Sequence, residues 1–305
     1  MVLLLLLFAG AALSPAAAES ADTVETEELK QPEGWQLASE INLTLTQNAY
    51  SDNWTGDETG AISWALNSNT KAENQLTATL NSSNTLKLAF GQTHAQDSET
   101  KEWAPPTKST DLVDFESVLR FTYGWAVDPF VAGRIETQFL DKSDTLKTRV
   151  LNPVTFTESV GVARMLIEDE QRQWSVRIGA ALRQQLDRDA LPEESGTERE
   201  NVVTNDSGLE FVSALRTPLA GDAITWTSDL RVFQALYDSE SEELEGTSEE
   251  DDWKSADLNW ENTLSADITE HIVVSLYLQM LYDKELDDDV RFKETLSLGL
   301  SFRML

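Results

Sequence analysis

Apolar and polar residues alternate with period two along most of this chain, the pattern of strands whose two faces meet different media. Leu37, Ile41, Leu43 and Leu45 share one phase, while Glu40, Asn42, Thr44 and Thr46 take the other. From Ile62 one phase runs through Trp64, Leu66, Ala72, Leu76 and Ala78 to Leu80, against Lys71, Glu73, Gln75, Thr77 and Thr79. Near the C-terminus Phe292, Leu296, Leu298, Leu300, Phe302 and Met304 alternate with Arg291, Lys293, Thr295, Ser297, Gly299, Ser301 and Arg303. About twelve such segments occur, near 36–50, 60–81, 85–95, 112–126, 130–141, 154–167, 173–185, 202–215, 223–236, 253–268, 272–284 and 290–305. Most supply the ~9–11 residues with which a tilted strand crosses a bilayer, plus some overhang. In the sixth segment Val154, Phe156, Val160 and Val162 share a phase with Glu158 and Arg164. There the small, uncharged opposite phase (Thr157, Ser159, Gly161, Ala163, Met165) is assigned to the outside, which puts Glu158 and Arg164 inside.

The connections alternate in length. Short ones with turn chemistry fall at Ser82-Ser83-Asn84, Asp128-Pro129, 168–172, 218–222 and 270–271. Long polar ones fall between them at 51–59, 96–111, 142–153, 186–201 and 237–252. Short turns at one end and long loops at the other, with an even strand count, predict an all-β fold: a transmembrane, antiparallel, up-and-down β-barrel of about twelve strands over residues 35–305. Trp35, Trp125, Trp174 and Trp226 fall at the short-turn ends, where a periplasmic aromatic girdle belongs, and Trp64 and Trp260 face outward nearer the other rim. Ahead of the barrel, the apolar stretch within residues 1–18 and the small triplet Ala16-Ala17-Ala18 read as a cleavable signal peptide, though without a basic n-region. Residues 19–34 read as an acidic, disordered periplasmic leader. Together these predict a protein of a Gram-negative outer membrane.

Charge refines the picture. The chain has 305 residues, 54 of them acidic and 23 basic, a net charge of −31, and no cysteine. A disulfide scaffold and a cysteine zinc site are excluded, and so acidic a surface argues against a nucleic-acid partner. On the inner phases, acids and bases balance. The expected lumen network comprises Glu73, Glu116, Arg120, Arg134, Glu136, Arg164, Arg177, Arg183, Glu210, Asp229, Arg231, Asp257, Glu261, Arg291 and Lys293. A one-signed lumen suits an ion-selective pore, whereas a balanced one suits cross-strand Arg–carboxylate pairs that brace the interior and conduct little. The acidic excess lies on the loops: residues 238–252 hold nine acids and no base, and 186–200 and Asp287-Asp288-Asp289 are acidic too. A solvated, repulsive surface is the plain expectation. A weak site for a divalent cation, Ca²⁺ or Mg²⁺, is the sharper one, although no EF-hand spacing is present.

Catalytic chemistry finds little support. Of the two histidines, His271 sits in a short turn and His94 at a loop end near Thr93, Gln96 and Ser98. A rim Ser–His pair would make a lipid hydrolase, but an ordinary rim histidine fits the spacing better. No nucleotide-binding or metalloprotease motif occurs, so no catalytic residue, cofactor or resident metal is expected. Gly56 and Gly60 read as a tight bend, and Pro105-Pro106 as a stiffened loop.

Several stretches carry a resemblance: 43–67, LKLAFGQT (86–93), KSTDLVDFES (108–117), VDPFVAGRIETQFLD (127–141), NPVTFTES (152–159) and KETLSLGLSF (293–302). They resemble an uncharacterised bacterial domain-of-unknown-function family whose members look like outer-membrane or cell-surface β-proteins. Asn53-Trp54-Thr55-Gly56 and Asp128-Pro129-Phe130 are the most specific parts. The resemblance implies an envelope location and brings no activity. The last strand, with Gly299, Phe302 and Met304, is similar to the signal by which barrels meet the barrel-assembly machinery, but ends in Leu305 and not an aromatic residue. The expected partners are therefore outer-membrane lipids and that machinery. The expected role is non-enzymatic, a narrow passive channel or structural envelope protein. The alternatives are a lipid-modifying enzyme and a soluble periplasmic binding barrel, the latter opposed by the apolar face of Leu296, Leu298, Leu300 and Phe302.

Overall fold

The computed structural model describes residues 34–50, 58–144, 146–169, 171–191, 198–220, 223–269 and 271–304, without the side chains of 301–304. The expected signal peptide, the leader up to residue 33, the Asn-Trp-Thr-Gly stretch and the outward placement of Phe302 and Met304 lie outside these residues.

Twelve strands form one closed antiparallel barrel: β1 (Gln36–Asn48), β2 (Ala61–Thr77), β3 (Leu80–Ala95), β4 (Thr107–Phe121), β5 (Asp128–Thr137), β8 (Val154–Glu168), β9 (Gln173–Ala190), β10 (Glu200–Leu219), β11 (Ile224–Asp238), β12 (Ala256–Asp267), β13 (Ile272–Asp283) and β14 (Asp287–Met304). Between β5 and β8 stand two short strands, β6 (Leu140–Asp141) and β7 (Arg149–Val150), which pair only with each other. The barrel strands follow chain order around the wall, and β14 closes on β1. This is the all-β, twelve-stranded architecture the alternation predicts.

Antiparallel partners share a face, so apolar positions line up in rows across neighbouring strands. Leu43 lies opposite Leu66 and Leu66 opposite Phe90. Trp226, Leu264, Leu276 and Leu296 form another such row. These rows point outward, away from the barrel interior, and are exposed: Val160 is 58 % and Ile178 51 % accessible. Inside, by contrast, Glu210 is 4 % and Phe130 1 % accessible. The usual arrangement of apolar inside and polar outside is inverted.

The eighth strand corrects one expectation. Val162 pairs with Ile178 and Val160 with Ala180, so the larger apolar phase of β8 faces out, and Glu158 and Arg164 face out with it. Arg164 therefore does not join the lumen network. The small phase faces in because the interior needs the room: Gly161 lies opposite both Phe130 and Gly179, and the Phe130 ring fills that space beneath the Arg177 guanidinium, 5.7 Å away. A Cβ on Gly161 would come within 2.1 Å of the Ile178 carbonyl oxygen. Gly161→Ala should thus force β8 and β9 apart, destabilising the barrel by about 1–3 kcal/mol; the urea unfolding midpoint of the refolded variant measures it.

Two short turns also move. Residues 82–84 lie inside the β2–β3 ladder, and the turn is at 78–79. Ser and Asn read as turn formers, but here the inward Asn81 donates to the Glu73 and Gln75 side chains and extends the pairing. Asp128-Pro129 opens β5, and the turn is 122–127, where the Tyr123 ring stacks on Phe121 at the end of β4 and meets the tilted Trp125 ring at 5.0 Å. The long connection at 142–153 carries unexpected order as well. Asp141 and Arg149 pair at 2.6 Å across β6–β7, and Arg149 reaches on to Asp187 of β9 at 2.7 Å.

Candidate functional site

The inward phases bring their charged residues together near the middle of the strands. Glu116 on β4 is the centre: it takes ion pairs from Arg177 on β9 and from Arg231 on β11, the second at 2.9 Å. Neither strand is a neighbour of β4 in the wall, so both contacts run through the interior. Arg231 also pairs with Glu210 on β10. Lys87 on β3 reaches Glu261 on β12 at 3.3 Å and Asp229 on β11 at 3.8 Å, again through the interior. Arg134 on β5 joins Asp114 at 2.8 Å with two parallel hydrogen bonds, and Glu136 at 2.5 Å. The two-pronged guanidinium geometry fixes both partners more firmly than a point charge would. The result is a layer of crossing ion pairs at mid-height. Lys87 and Asp114 belong to it by the same period-two phase that places Glu116 and Arg134 inside.

The remaining expected network residues lie above or below. Toward the short turns, Glu73 pairs with Lys71 at 2.8 Å and Arg120 with Asp128 at 3.9 Å. Toward the long loops, Arg183 bridges Asp206 at 2.7 Å and Asp257 at 2.6 Å, with its guanidinium 4.5 Å from the Phe233 ring centre. Asp206 was legible from its phase with Glu210, four residues on, because β10 is regular there and the bulge at this level falls on β11, at Leu236. Arg291 and Lys293 face inward on β14 and make no ion pair among the described residues.

Carboxylates gather at the same long-loop end. One oxygen each from Asp257, Asp283 and Glu285 lies within 4.8 Å of the others, a spacing that would suit a hard cation. Glu285, in the turn between β13 and β14, is pushed up to about 7, by burial first and then by the charges of Asp206, Asp283, Asp238 and Asp257. The folded chain holds this proton more tightly than the unfolded chain, whose glutamates titrate near about 4.3. Stability contributed by the protonated form is therefore present at low pH and lost as the pH rises toward about 7. Glu285→Gln should raise the urea midpoint at about pH 8 and leave it unchanged at about pH 4; denaturation series at the two pH values check this.

The four tryptophans of the expected girdle lie at or near strand starts. Trp35 precedes β1, Trp125 lies in the turn before β5, and Trp174 and Trp226 begin β9 and β11. Trp174 Nε1 donates to Ser213 and Trp226 Nε1 to Asn262. Arg164 faces the same rim, beside Trp125 and Glu168 in a cleft of about 340 Å³. His94 packs against Trp103 with ring centres 5.0 Å apart, and no described serine hydrogen-bonds to it. The geometry of a Ser–His nucleophile is not assembled among the described residues.

Comparison with known proteins shows what part of this barrel is similar to others. Residues 45–142 match the family described as "Protein of unknown function (DUF3078)". That agrees with the resemblance read from 43–67 through 127–141. No curated protein matches. Among solved structures, the chain is similar to the COG4313 outer membrane channel from Pseudomonas putida F1, with 14% identity over 92% of this chain and 99% of that one, at a TM-score of 0.42. It is also similar to the transport unit of the autotransporter AIDA-I from Escherichia coli, with 8% identity over 90% and 91% of the two chains and a TM-score of 0.28.

Proposed function

We propose that this chain is an outer-membrane barrel whose interior is a braced constriction: a passive, non-enzymatic envelope protein that conducts little. One observation carries the reading. Ion pairs cross the lumen at mid-height from β9 and β11 to β4 and from β3 to β11 and β12. Side chains fixed across the bore by several partners occupy the space that a water-filled pore keeps open. The membrane location is supported by the outward apolar rows, since contiguous apolar surface on this scale needs an apolar medium. A soluble binding barrel would place polar residues there. A lipid hydrolase would need a serine nucleophile bonded to His94, and none is found among the described residues.

The test is single-channel recording of the refolded barrel in planar bilayers. Insertion with rare, small current steps is expected. Large, stable currents from the unaltered protein would overturn the constriction.

A further inference from the structure

The barrel wall has one incomplete seam. β1 pairs with β2 along its whole length, from Gln36 to Asn48. Its pairing with β14 runs only from Ser39↔Met304 to Thr44↔Gly299. Above that point no pairing across the seam joins residues 45–48 of β1 and 287–298 of β14 to each other among the described residues, although β13 still pairs with β14 up to Asp287. Among the described residues the seam is zipped from Thr44 toward the short turns and open from Leu45 to Asn48. Unpaired backbone N–H and C=O groups are costly against lipid unless polar groups reach them. The lips of the opening are apolar: Leu45, Leu296 and Leu298 are 67 %, 71 % and 65 % accessible. Behind them the inward faces carry Thr46, Thr295 and Ser297.

A second observation identifies what this opening suits. In the same half of β14, Arg291 and Lys293 face inward. Among the described residues Arg291 forms no ion pair, and its Nε is buried without a hydrogen-bond partner. Lys293 has only Thr110 Oγ1 at 3.5 Å and the Tyr277 ring at 5.9 Å. The cations of the mid-height layer, Lys87, Arg134, Arg177 and Arg231, each have a carboxylate. Two cations without an anion, behind an apolar slot in the wall, complement a molecule with an anionic head and an apolar tail.

We propose that the open seam admits a single-chain alkyl carboxylate from the bilayer, its head held by Arg291 and Lys293 and its tail lying between the lips formed by Leu45 and Leu298. Entry is lateral, because acidic loops repel anions arriving from water while the slot faces lipid. The inference rests on the membrane-embedded, constricted barrel proposed above.

The experiment titrates dansyl-undecanoate into the refolded chain in dodecyl-maltoside micelles, reading energy transfer from tryptophan, with heat-modifiable gel mobility as the check of folding. Saturable binding is expected, at least tenfold weaker in Arg291→Gln/Lys293→Gln, and not displaced by dodecyltrimethylammonium. Equal affinity in the double variant, or displacement by the cationic amphiphile as effective as by dodecanoate, would overturn it. A second variant uses the absence of native cysteine: Leu45→Cys/Leu298→Cys should lose binding when oxidised and regain it on reduction. Unchanged binding by the cross-linked chain overturns the seam route. Conductance of the same preparations keeps the two readings apart, since a large current removes the constriction while leaving head-group selectivity to stand or fall by itself.

Discussion

Replacing Glu116 with alanine should open the barrel and weaken it together. Glu116 holds both Arg177 and Arg231, which approach it from two strands on the far side of the interior. Without it, Arg177 keeps no carboxylate partner and Arg231 keeps only Glu210. Removing one partner from a buried pair costs about 3–5 kcal/mol, because the charge left behind is desolvated and uncompensated. Both arginines are largely withdrawn from solvent, so the lower part of that range, about 3 kcal/mol, is expected. The freed guanidiniums also repel each other and move toward the wall, which widens the bore. The expected result is a lower urea midpoint together with single-channel steps several times larger than those of the unaltered protein. Glu116→Gln, which keeps the volume and the hydrogen-bonding oxygen, should give an intermediate current. A variant that loses stability without any rise in current would show that the layer braces the wall but does not close the path.

The second large effect concerns the other face. Ile178→Arg places a cation on the outward phase of β9, one residue from the inward Arg177. In a bilayer, an arginine at the midplane of a barrel wall costs roughly 2–4 kcal/mol. The same change on a water-facing surface costs within about 0.5 kcal/mol. Refolding into vesicles and then measuring unfolding by tryptophan emission separates the two. A loss of about 2 kcal/mol or more is expected, and a neutral outcome would mean that this face does not meet lipid.

Much of this molecule could be read from alternation alone, because in a barrel each residue has only two directions to choose between. Leu43, Leu66 and Phe90, or Leu264, Leu276 and Leu296, needed no tertiary knowledge to be placed outward. The phase rule failed where both phases were compatible with an interior. On β8, Glu158 and Arg164 looked like lumen residues because charge is normally kept from lipid, but the decisive term was space: Phe130 needed Gly161 and Gly179 beside it. Turn chemistry misled at 82–84 for a related reason, since Ser and Asn serve equally well as inward polar residues. The carboxylate cluster at Asp257, Asp283 and Glu285 was not legible, because it is assembled by neighbouring strand tops and not by the acidic loop 238–252 that draws the eye. The pairing partners within the lumen were equally hidden. The inward phase places Glu116 and Arg231 on the same surface, but only closure of the barrel brings β4 opposite β11.

Glu158 and Arg164, both turned outward on β8, have a consequence for the surrounding lipid. They are six residues apart on one strand, about 20 Å along it and roughly 14 Å along the membrane normal at a ~45° tilt. That is short of the ~25 Å apolar band of such barrels, and both side chains must stretch fully toward their rims to make up the difference. In the membrane setting proposed above, the bilayer therefore has no slack beside β8, whereas the outward phase of β13 runs uncharged from Ile272 to Tyr282. A barrel so placed would have a hydrophobic thickness that varies around its circumference, with β8 the side that tolerates a thicker bilayer least.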